Sequence, residues 1–396
     1  MLVTSHTSIN AYADDRWVIS TPLCNLLVNT ATAELFQLLR ESDTMEQALS
    51  RFNEHFAHTL PREQFTQLLQ NSFGGRAILS QDTSPDPAAP DQGYIKLRVE
   101  FLSARVAGVL ARPLQPLYTP RLFCFVLGAQ ALVLLGTYVL TPALPVHSQA
   151  DYWIAAPLFY ASIVVHELGH IAACARFGVK HGGVGFGLYA YLFPVLYADI
   201  TNVWAGSRAQ RLIANMGGIY AQLLFAGALG AGYLATHYVP LQLAATATSV
   251  SALWQLNPFV RHDGYWMLSD LTSTPNLLPR ATELVRQGLS RAGVRRVVTT
   301  RGRVLRTRKT WLLLYGLTNA SILALFAGYT LSAHGRAILA FPELLLSLTS
   351  KAATGQLQAA DFSMQQVVVV AFYTMLIRFG LSARRRFRAR ALPLTA

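Results

Sequence analysis

The chain has 396 residues, of which 52% are hydrophobic and 13% are charged, and its mean hydropathy is +0.32. Average soluble domains carry about 25% charged residues, so this composition excludes an ordinary soluble globular protein and indicates a membrane protein. The formal net charge is +13, yet residues 1–95 hold 11 Asp and Glu against 5 Lys and Arg. This asymmetry predicts an acidic N-terminal head and a basic membrane body.

The basic charge does not require a nucleic-acid partner, because cationic loops beside membrane spans account for it. The three cysteines, Cys24, Cys124 and Cys174, form no Cys-x-x-Cys pair and no disulfide framework. The first 17 residues are polar and lack an apolar signal core. We therefore expect the head to stay in the cytoplasm.

Residues 1–80 predict a small α+β domain made of two short strands and three short helices. The predicted strands are residues 17–20 and 24–29, and the predicted helices begin at Thr30 or Thr32, at Thr44 and at Pro61. Two strands followed by three helices is a winged-helix-like plan. The Ser-, Asp- and Pro-rich residues 81–93 that follow are typical of a linker.

The rest of the chain predicts a polytopic bundle with about six membrane spans. The spans are residues 122–141, 152–175, two within 212–260, 311–332 and 362–377. Residues 182–198 are apolar but short and glycine-rich, which favours a re-entrant segment, either hairpin or loop. The fold class is therefore mainly α, with a small N-terminal α+β winged-helix-like domain. The expected domains are residues 1–80, a linker and juxtamembrane segment at 81–121, the membrane domain at 122–382 and a basic tail at 383–396.

The distribution of Lys and Arg predicts the orientation. With the head inside, the outer loops fall near residues 142–151, 236–241 and 333–361, and their only basic residues are Arg336 and Lys351. Both termini are then cytoplasmic. The Arg-rich stretch 286–309 either anchors this topology or binds anionic lipid headgroups.

The sequence His166-Glu167-Leu168-Gly169-His170 lies inside the second predicted span. Histidines four residues apart share one helix face, about 6 Å apart along its axis, which suits two imidazoles that bind one Zn²⁺. Glu167 is placed to accept a proton from a water at the metal. A carboxylate in a span costs about 2.5–3.5 kcal/mol on insertion scales, and a metal offers it both a partner and a function. The alternative is a polar pocket in the bundle that holds the two histidines by hydrogen bonds.

A catalytic zinc site needs a third protein ligand, and the candidate is Asp263. Pro258 interrupts the span before it and Gly264 frees the backbone after it. On a straight helix Asp263 would lie about 6–12 Å nearer the cytoplasm than the histidines, so a bend must close the gap. The competing interpretation is an interfacial carboxylate paired with Arg261. His262 and, less favoured, His181 are rival ligands.

The HELGH motif in a span, followed 87 residues after His170 by Asn257-Pro258 and then Asp263-Gly264, resembles the site-2 protease family of intramembrane zinc metalloproteases. The bacterial peptide zinc metalloprotease branch is the most similar, and residues 185–189, 194–199 and 256–266 carry that similarity. The resemblance implies one Zn²⁺, with His166, His170 and Asp263 as ligands and Glu167 as general base. It also implies that Asn257 helps to hold the substrate backbone.

One feature departs from the family. Many members have Gly-Pro in the span after the re-entrant segment, whereas this chain has Gly217-Gly218. We therefore expect the backbone geometry to differ there, with an effect on substrate positioning more than on metal binding.

The head resembles the small winged-helix domain that recognises leader peptides in the biosynthesis of ribosomally made peptides (RiPPs), including the peptide chaperone of pyrroloquinoline quinone synthesis. Such domains bind an extended peptide as an added strand, here at the strand edge within residues 17–28. The alternative is a structural or regulatory head.

Together these resemblances imply a bacterial inner-membrane zinc endopeptidase that matures a small peptide captured by the head. The partners would be that peptide, the lipid bilayer and components of peptide export. Two alternatives stay open. One is regulated cleavage of a membrane-anchored signalling protein, and the other is a non-catalytic component of a peptide export or immunity system. For the protease, residues 182–187 are an expected edge at which an unwound substrate lies.

Overall fold

The computed structural model describes residues 2–4, 6–13, 15–21, 25–80, 95–139, 148–189, 193–288 and 308–356, and part of residues 358–381. The chain is mainly helical, with two small sheets, and it divides into two compact units, Met1–Pro275 and Asn276–Ala396. Four helices are long and apolar enough to cross a membrane. The predicted linker 81–93 and the basic tail lie outside the described residues.

The head contains the predicted strands and helices and one additional strand. Its antiparallel sheet has the order β1 (Ser8–Ala13), β2 (Arg16–Ser20) and β3 (Asn25–Asn29). Three helices follow, α1 (Thr30–Arg40), α2 (Met45–His55) and α3 (Arg62–Phe73). Phe36, Phe65 and Phe73 are fully buried at the centre of its core. Strand β1 was not predicted.

The head helices begin where the chain offers acceptors for their first N–H groups. The Thr44 hydroxyl accepts a hydrogen bond from the Gln47 amide, which is the predicted start of α2. Helix α1 is capped by the Asn29 side chain, which accepts from the Thr32 amide at 2.9 Å. The cap of α1 is therefore one residue before Thr30.

The second sheet lies in the stretch predicted as juxtamembrane and re-entrant segments. Strands β4 (Ile95–Leu102), β5 (Val184–Tyr189) and β6 (Phe193–Ala198) form an antiparallel sheet in that order. The short helix α4 (Ala104–Ala111) follows β4. The 182–198 segment is thus a hairpin, one of the two forms left open. Because β5 is paired on both sides, the expected substrate edge at residues 182–187 is wrong, and the outer edges belong to β4 and β6.

The remaining helices of the first unit surround the HELGH motif. They are α5 (Pro120–Val139), α6 (Gln149–Arg176), α7 (Arg208–Thr236), α8 (Val239–Trp254) and α9 (Asp263–Leu271). Capping boxes start both long central helices, at Ser148 for α6 and at Ser207 for α7. Helix α8 has 16 residues and is about 24 Å long, shorter than a full span.

Helices α6 and α7 approach each other through glycine. A Cβ added to Gly169 would lie 2.4 Å from the Gly217 carbonyl oxygen, and one added to Gly217 would lie 2.9 Å from the Gly169 carbonyl oxygen. The Tyr118 hydroxyl also donates to the Gly217 carbonyl at 2.8 Å. Small residues at this crossing let the two backbones pack closely.

The second unit contains α10 (Leu277–Gly288) and α11 (Arg308–Ala353). Helix α11 includes the predicted span 311–332 and continues for 21 residues beyond it. The expected outer loop at 333–361 is therefore wrong over residues 333–353, because this apolar stretch, despite Pro342, extends the helix. The sixth predicted span, 362–377, and the Arg-rich stretch 286–309 lie partly outside the described residues.

Candidate metal centre

The HELGH motif is helical, and its polar side chains are buried in the bundle. His166, Glu167 and His170 on α6 are 3%, 8% and 5% exposed. The two Nε2 atoms lie 3.2 Å apart, with the rings nearly perpendicular at 79°. The Glu167 carboxylate is within electrostatic range of the His170 imidazole. The four-residue spacing thus places two imidazoles and one carboxylate together in an apolar interior.

Asp263 reaches this pair because the chain turns between α8 and α9. The Asn257 side-chain oxygen accepts from the Phe259 amide at 3.0 Å and shapes the turn. The Gly264 amide then donates to the Gln255 carbonyl at 2.8 Å. A Cβ at Gly264 would lie 2.1 Å from the Leu256 carbonyl oxygen, so only glycine allows this close return. Asp263 becomes the first residue of α9.

The Asp263 carboxylate lies against both imidazoles. Its Oδ2 atom is 3.0 Å from His166 Nε2 and 3.4 Å from His170 Nε2. All three candidate ligand atoms lie within 4.8 Å of one another. Ligand atoms in a tetrahedral zinc centre with bonds of 2.0–2.1 Å are about 3.3–3.4 Å apart. The observed spacing of 3.0–3.4 Å matches that requirement.

The hydrogen bonds behind the imidazoles show why a cation fits between these atoms. His170 Nδ1 lies 2.8 Å from the Ala214 carbonyl oxygen, which can only accept, so Nδ1 carries the proton and donates. A neutral His170 therefore directs its Nε2 lone pair at His166 and Asp263. Asp263 Oδ2 is buried and has no hydrogen-bond partner among the described residues. Converging lone pairs with a buried orphan oxygen are stable together only around a positive charge.

The electrostatic environment keeps the third candidate ligand ionised. Burial alone raises the pKa of Asp263, but the facing imidazoles of His170 and His166 outweigh it and hold that pKa well below its ordinary value. A permanently charged carboxylate is the form that binds a metal.

The other predicted residues lie around this group. His262 is the N-cap residue of α9 and is partly buried, and burial lowers its pKa. His181 lies between α6 and β5, with Nδ1 2.9 Å from the Gly182 carbonyl oxygen. Neither belongs to the group of three converging ligand atoms. Asn257 lies in the α8–α9 turn, six residues before Asp263, where its side chain shapes the backbone.

Two residues of α7 contact the imidazoles without having been predicted. The side-chain oxygen of Gln222 lies 3.1 Å from His166 Nδ1. A Cβ at Gly218 would lie 2.4 Å from His170 Nε2 and 2.5 Å from His166 Nε2, so Gly218 provides the space that the two rings occupy. A polar side chain within a span is the signal that could have indicated Gln222.

A second polar cluster ties α9 to α7 and to the head. The buried Arg211 guanidinium donates to Asp270 Oδ1 at 2.7 Å, and the Asn215 amide donates to Asp270 Oδ2 at 2.9 Å. Arg211 also lies over the Tyr12 ring of β1, 4.2 Å from its centroid, and Tyr12 stacks on Trp204. Helix α9, which carries Asp263 at its start, is thereby held near its end by a buried ion pair.

Comparison with known proteins gives one relevant similarity. The chain is 31% identical over 118 residues to a protein of Bacillus subtilis (strain 168) named "Putative peptide zinc metalloprotease protein YydH". The match covers 29% of this chain and 47% of that protein, so the chain spans about half the length of the curated relative it matches. No family model matches the chain, and no solved structure matches it significantly. The similarity supports a zinc metalloprotease relationship.

Proposed function

We propose that this protein is a membrane-embedded zinc endopeptidase of the site-2 protease type. The observation that carries the proposal is the convergence of His166 Nε2, His170 Nε2 and Asp263 Oδ2 within zinc-binding distances, next to a buried glutamate. His166, His170 and Asp263 would hold one Zn²⁺. The similarity to a protein named as a peptide zinc metalloprotease points to the same chemistry.

Zinc in such a site lowers the pKa of water and polarises a carbonyl group. Glu167 takes the proton of the attacking water and later gives it to the leaving amine. The low exposure of Glu167, 8%, keeps this proton transfer away from bulk solvent. Asn257 keeps one side-chain nitrogen beyond its turn hydrogen bond, and this N–H donates to a carbonyl of the substrate backbone.

The head supplies the peptide. Strand β3 pairs with β2 on one side, and within the described part of the chain no strand pairs with its other edge. An extended peptide can bind there as an added strand. The contact of Tyr12 with Arg211 places this sheet on the body that carries the site, which favours capture before cleavage. The substrate is thus a small, ribosomally made peptide.

The protein spans the bacterial inner membrane about six times, with both termini in the cytoplasm. The Lys and Arg distribution supports this orientation. In this arrangement Arg211 and Asp270 lie near the cytoplasmic end of α7, and the hairpin of β5 and β6 dips into the membrane from the same side. Reporter fusions at residue 396 and within 142–147 test the orientation. A C-terminal fusion active only outside the cytoplasm would overturn it.

Two variants test the chemistry. Glu167→Gln keeps the shape and the metal ligands but removes the base, so we expect wild-type zinc content and loss of cleavage. Asp263→Ala should lower zinc content strongly while membrane insertion is unchanged. Wild-type protein without zinc would refute the protease. Unchanged zinc in Asp263→Ala would transfer the third-ligand role to another residue such as His262.

The substrate is found by mass spectrometry of peptides from cells that carry wild type or Glu167→Gln. A small peptide product present only with wild type supports peptide maturation. A truncated membrane protein would instead support regulated cleavage of a signalling protein. If the two peptide profiles do not differ and Glu167→Gln retains zinc, the site is structural.

A further inference from the structure

A chain of polar groups crosses the apolar bundle behind His166. Ser162 on α6 and Gln222 on α7 are 0% and 1% exposed. The Ser162 hydroxyl lies 2.6 Å from the Phe159 carbonyl oxygen, Gln222 Nε2 lies 3.3 Å from Ser162 Oγ, and Gln222 Oε1 lies 3.1 Å from His166 Nδ1. Gln222 Nε2 also lies 3.4 Å from Ser251 Oγ on α8. Buried polar side chains in a span are costly, so a continuous chain of them calls for a function.

The direction of every hydrogen bond in this chain is fixed at one end. The Phe159 carbonyl can only accept, so the Ser162 hydroxyl donates to it. Ser162 Oγ must then accept from the amide nitrogen of Gln222. The amide oxygen of Gln222 therefore faces His166, and His166 Nδ1 must donate to it. A reversed amide would direct the Gln222 oxygen at a hydroxyl whose proton is already used.

We propose that Ser162 and Gln222 are positioning residues that fix the tautomer of His166. With the proton on Nδ1, the Nε2 lone pair of His166 is directed at His170 and Asp263, where the metal binds. His170 needs no such side chain, because the backbone carbonyl of Ala214 fixes its proton in the same way. The inference rests on the zinc binding proposed above. It adds that half of the orientation of the ligand pair depends on a replaceable side chain.

The prediction for Gln222 is weaker metal binding when the acceptor is lost. Groups that orient a metal-binding histidine typically contribute about 10- to 100-fold to metal affinity. Gln222→Leu removes the acceptor at similar volume, so we expect its Zn²⁺ affinity to fall within that range. Gln222→Glu keeps an acceptor oxygen next to His166 Nδ1 and should bind Zn²⁺ nearly as tightly as wild type.

The chain offers a matched control in Gln242 on α8. This glutamine is 3% exposed, and its side-chain oxygen has no hydrogen-bond partner among the described residues. Gln242→Leu makes the same chemical change in the same bundle but does not touch the histidines. We expect wild-type Zn²⁺ affinity for this variant.

The role of Ser162 is tested by a double-mutant cycle. Ser162→Ala removes the acceptor that orients the Gln222 amide, and the loss of one net hydrogen bond corresponds to about 2- to 10-fold in affinity. Once Gln222→Leu has removed the amide, Ser162→Ala should cause no further loss. Equal losses in both backgrounds would show that Ser162 acts independently of Gln222.

The measurement is the Zn²⁺ dissociation constant of the full-length protein in detergent, obtained by competition with a chromophoric chelator. Circular dichroism checks that each variant is folded. Equal weakening by Gln222→Leu and Gln242→Leu would overturn the inference, because the effect would be one of packing. Failure of Gln222→Glu to restore affinity would also overturn it. Wild-type protein that binds no zinc would instead refute the proposed function, and this inference with it.

Discussion

Gly218→Ala tests how α7 holds the two imidazoles. A Cβ at this position would lie 2.4 Å from His170 Nε2 and 2.5 Å from His166 Nε2, whereas favourable non-bonded contacts are about 3.5–4.0 Å. Relief of this overlap needs a shift of about 1 Å in the rings or in the spacing of the two helices. Metal–ligand distances tolerate only about 0.2 Å. The substitution therefore acts directly on the metal site.

The expected size of the effect follows from the cost of overpacking. Extra carbon in a well-packed interior costs about 1–3 kcal/mol. If the metal site absorbs this strain, Zn²⁺ affinity falls by about 5- to 150-fold, since each 1.4 kcal/mol is tenfold. Alanine is favoured over glycine in a helix by about 1 kcal/mol. Helix α7 itself should therefore form normally in the Gly218→Ala variant.

The assay is again chelator competition for Zn²⁺ with the full-length protein in detergent. Gly128→Ala in α5 is the matched control, because no heavy atom lies within 4 Å of a Cβ added there. We expect wild-type affinity for Gly128→Ala and weaker binding for Gly218→Ala. Wild-type affinity in a folded Gly218→Ala variant would refute the close approach of both rings to α7.

Three further substitutions test the elements that carry the third ligand. Gly264→Ala should weaken Zn²⁺ binding at least as much, because its Cβ would lie 2.1 Å from a backbone oxygen in the preceding turn and would displace Asp263; unchanged chelator competition would contradict this. Asp270→Asn leaves the buried Arg211 charge without its ion-pair partner, so the free energy of unfolding should fall by about 3–5 kcal/mol, and an unchanged Tm in detergent would speak against a buried pair. Tyr12→Ala should cost about 0.5–2 kcal/mol through the lost cation–π contact, whereas Tyr12→Phe should keep the wild-type Tm, and equal losses in both would assign the effect to the hydroxyl.

The head helices and the HELGH helix could be predicted because their signals are local. Thr44 precedes an apolar periodic run, and its hydroxyl does cap α2. Strand β4 also has a local signal, since residues 95–101 alternate apolar and charged side chains. That alternation was overlooked because the stretch adjoins the membrane. Its partner β5 lies more than 80 residues away, and no local pattern specifies such a pairing. Strand β1 has only small and polar residues around Ile9 and Tyr12, which gives a weak signal.

The third candidate ligand could be named but not placed. A straight continuation of α8 leaves Asp263 about 6–12 Å from the histidines. The structure closes this gap by ending α8 at Trp254 and turning the chain before α9 begins. The close backbone return at Gly264 makes this turn possible. Such a return depends on contacts between residues eight apart, and residue-type preferences alone do not specify it.

The two helices that form the site carry matching sets of residues with a four-residue spacing. They are Ser162, His166 and His170 on α6, and Ala214, Gly218 and Gln222 on α7. Gln222 meets the first two members of the α6 set, Gly218 meets both histidines, and Ala214 meets His170. The order is reversed, so the helices run antiparallel in one register. Residues four apart share a helix face, and a shift of α7 by one residue would turn that face by about 100°. All three partners would then be lost together. The HELGH motif thus supplies the donor atoms, while the register of α7 decides whether their lone pairs converge on one ion.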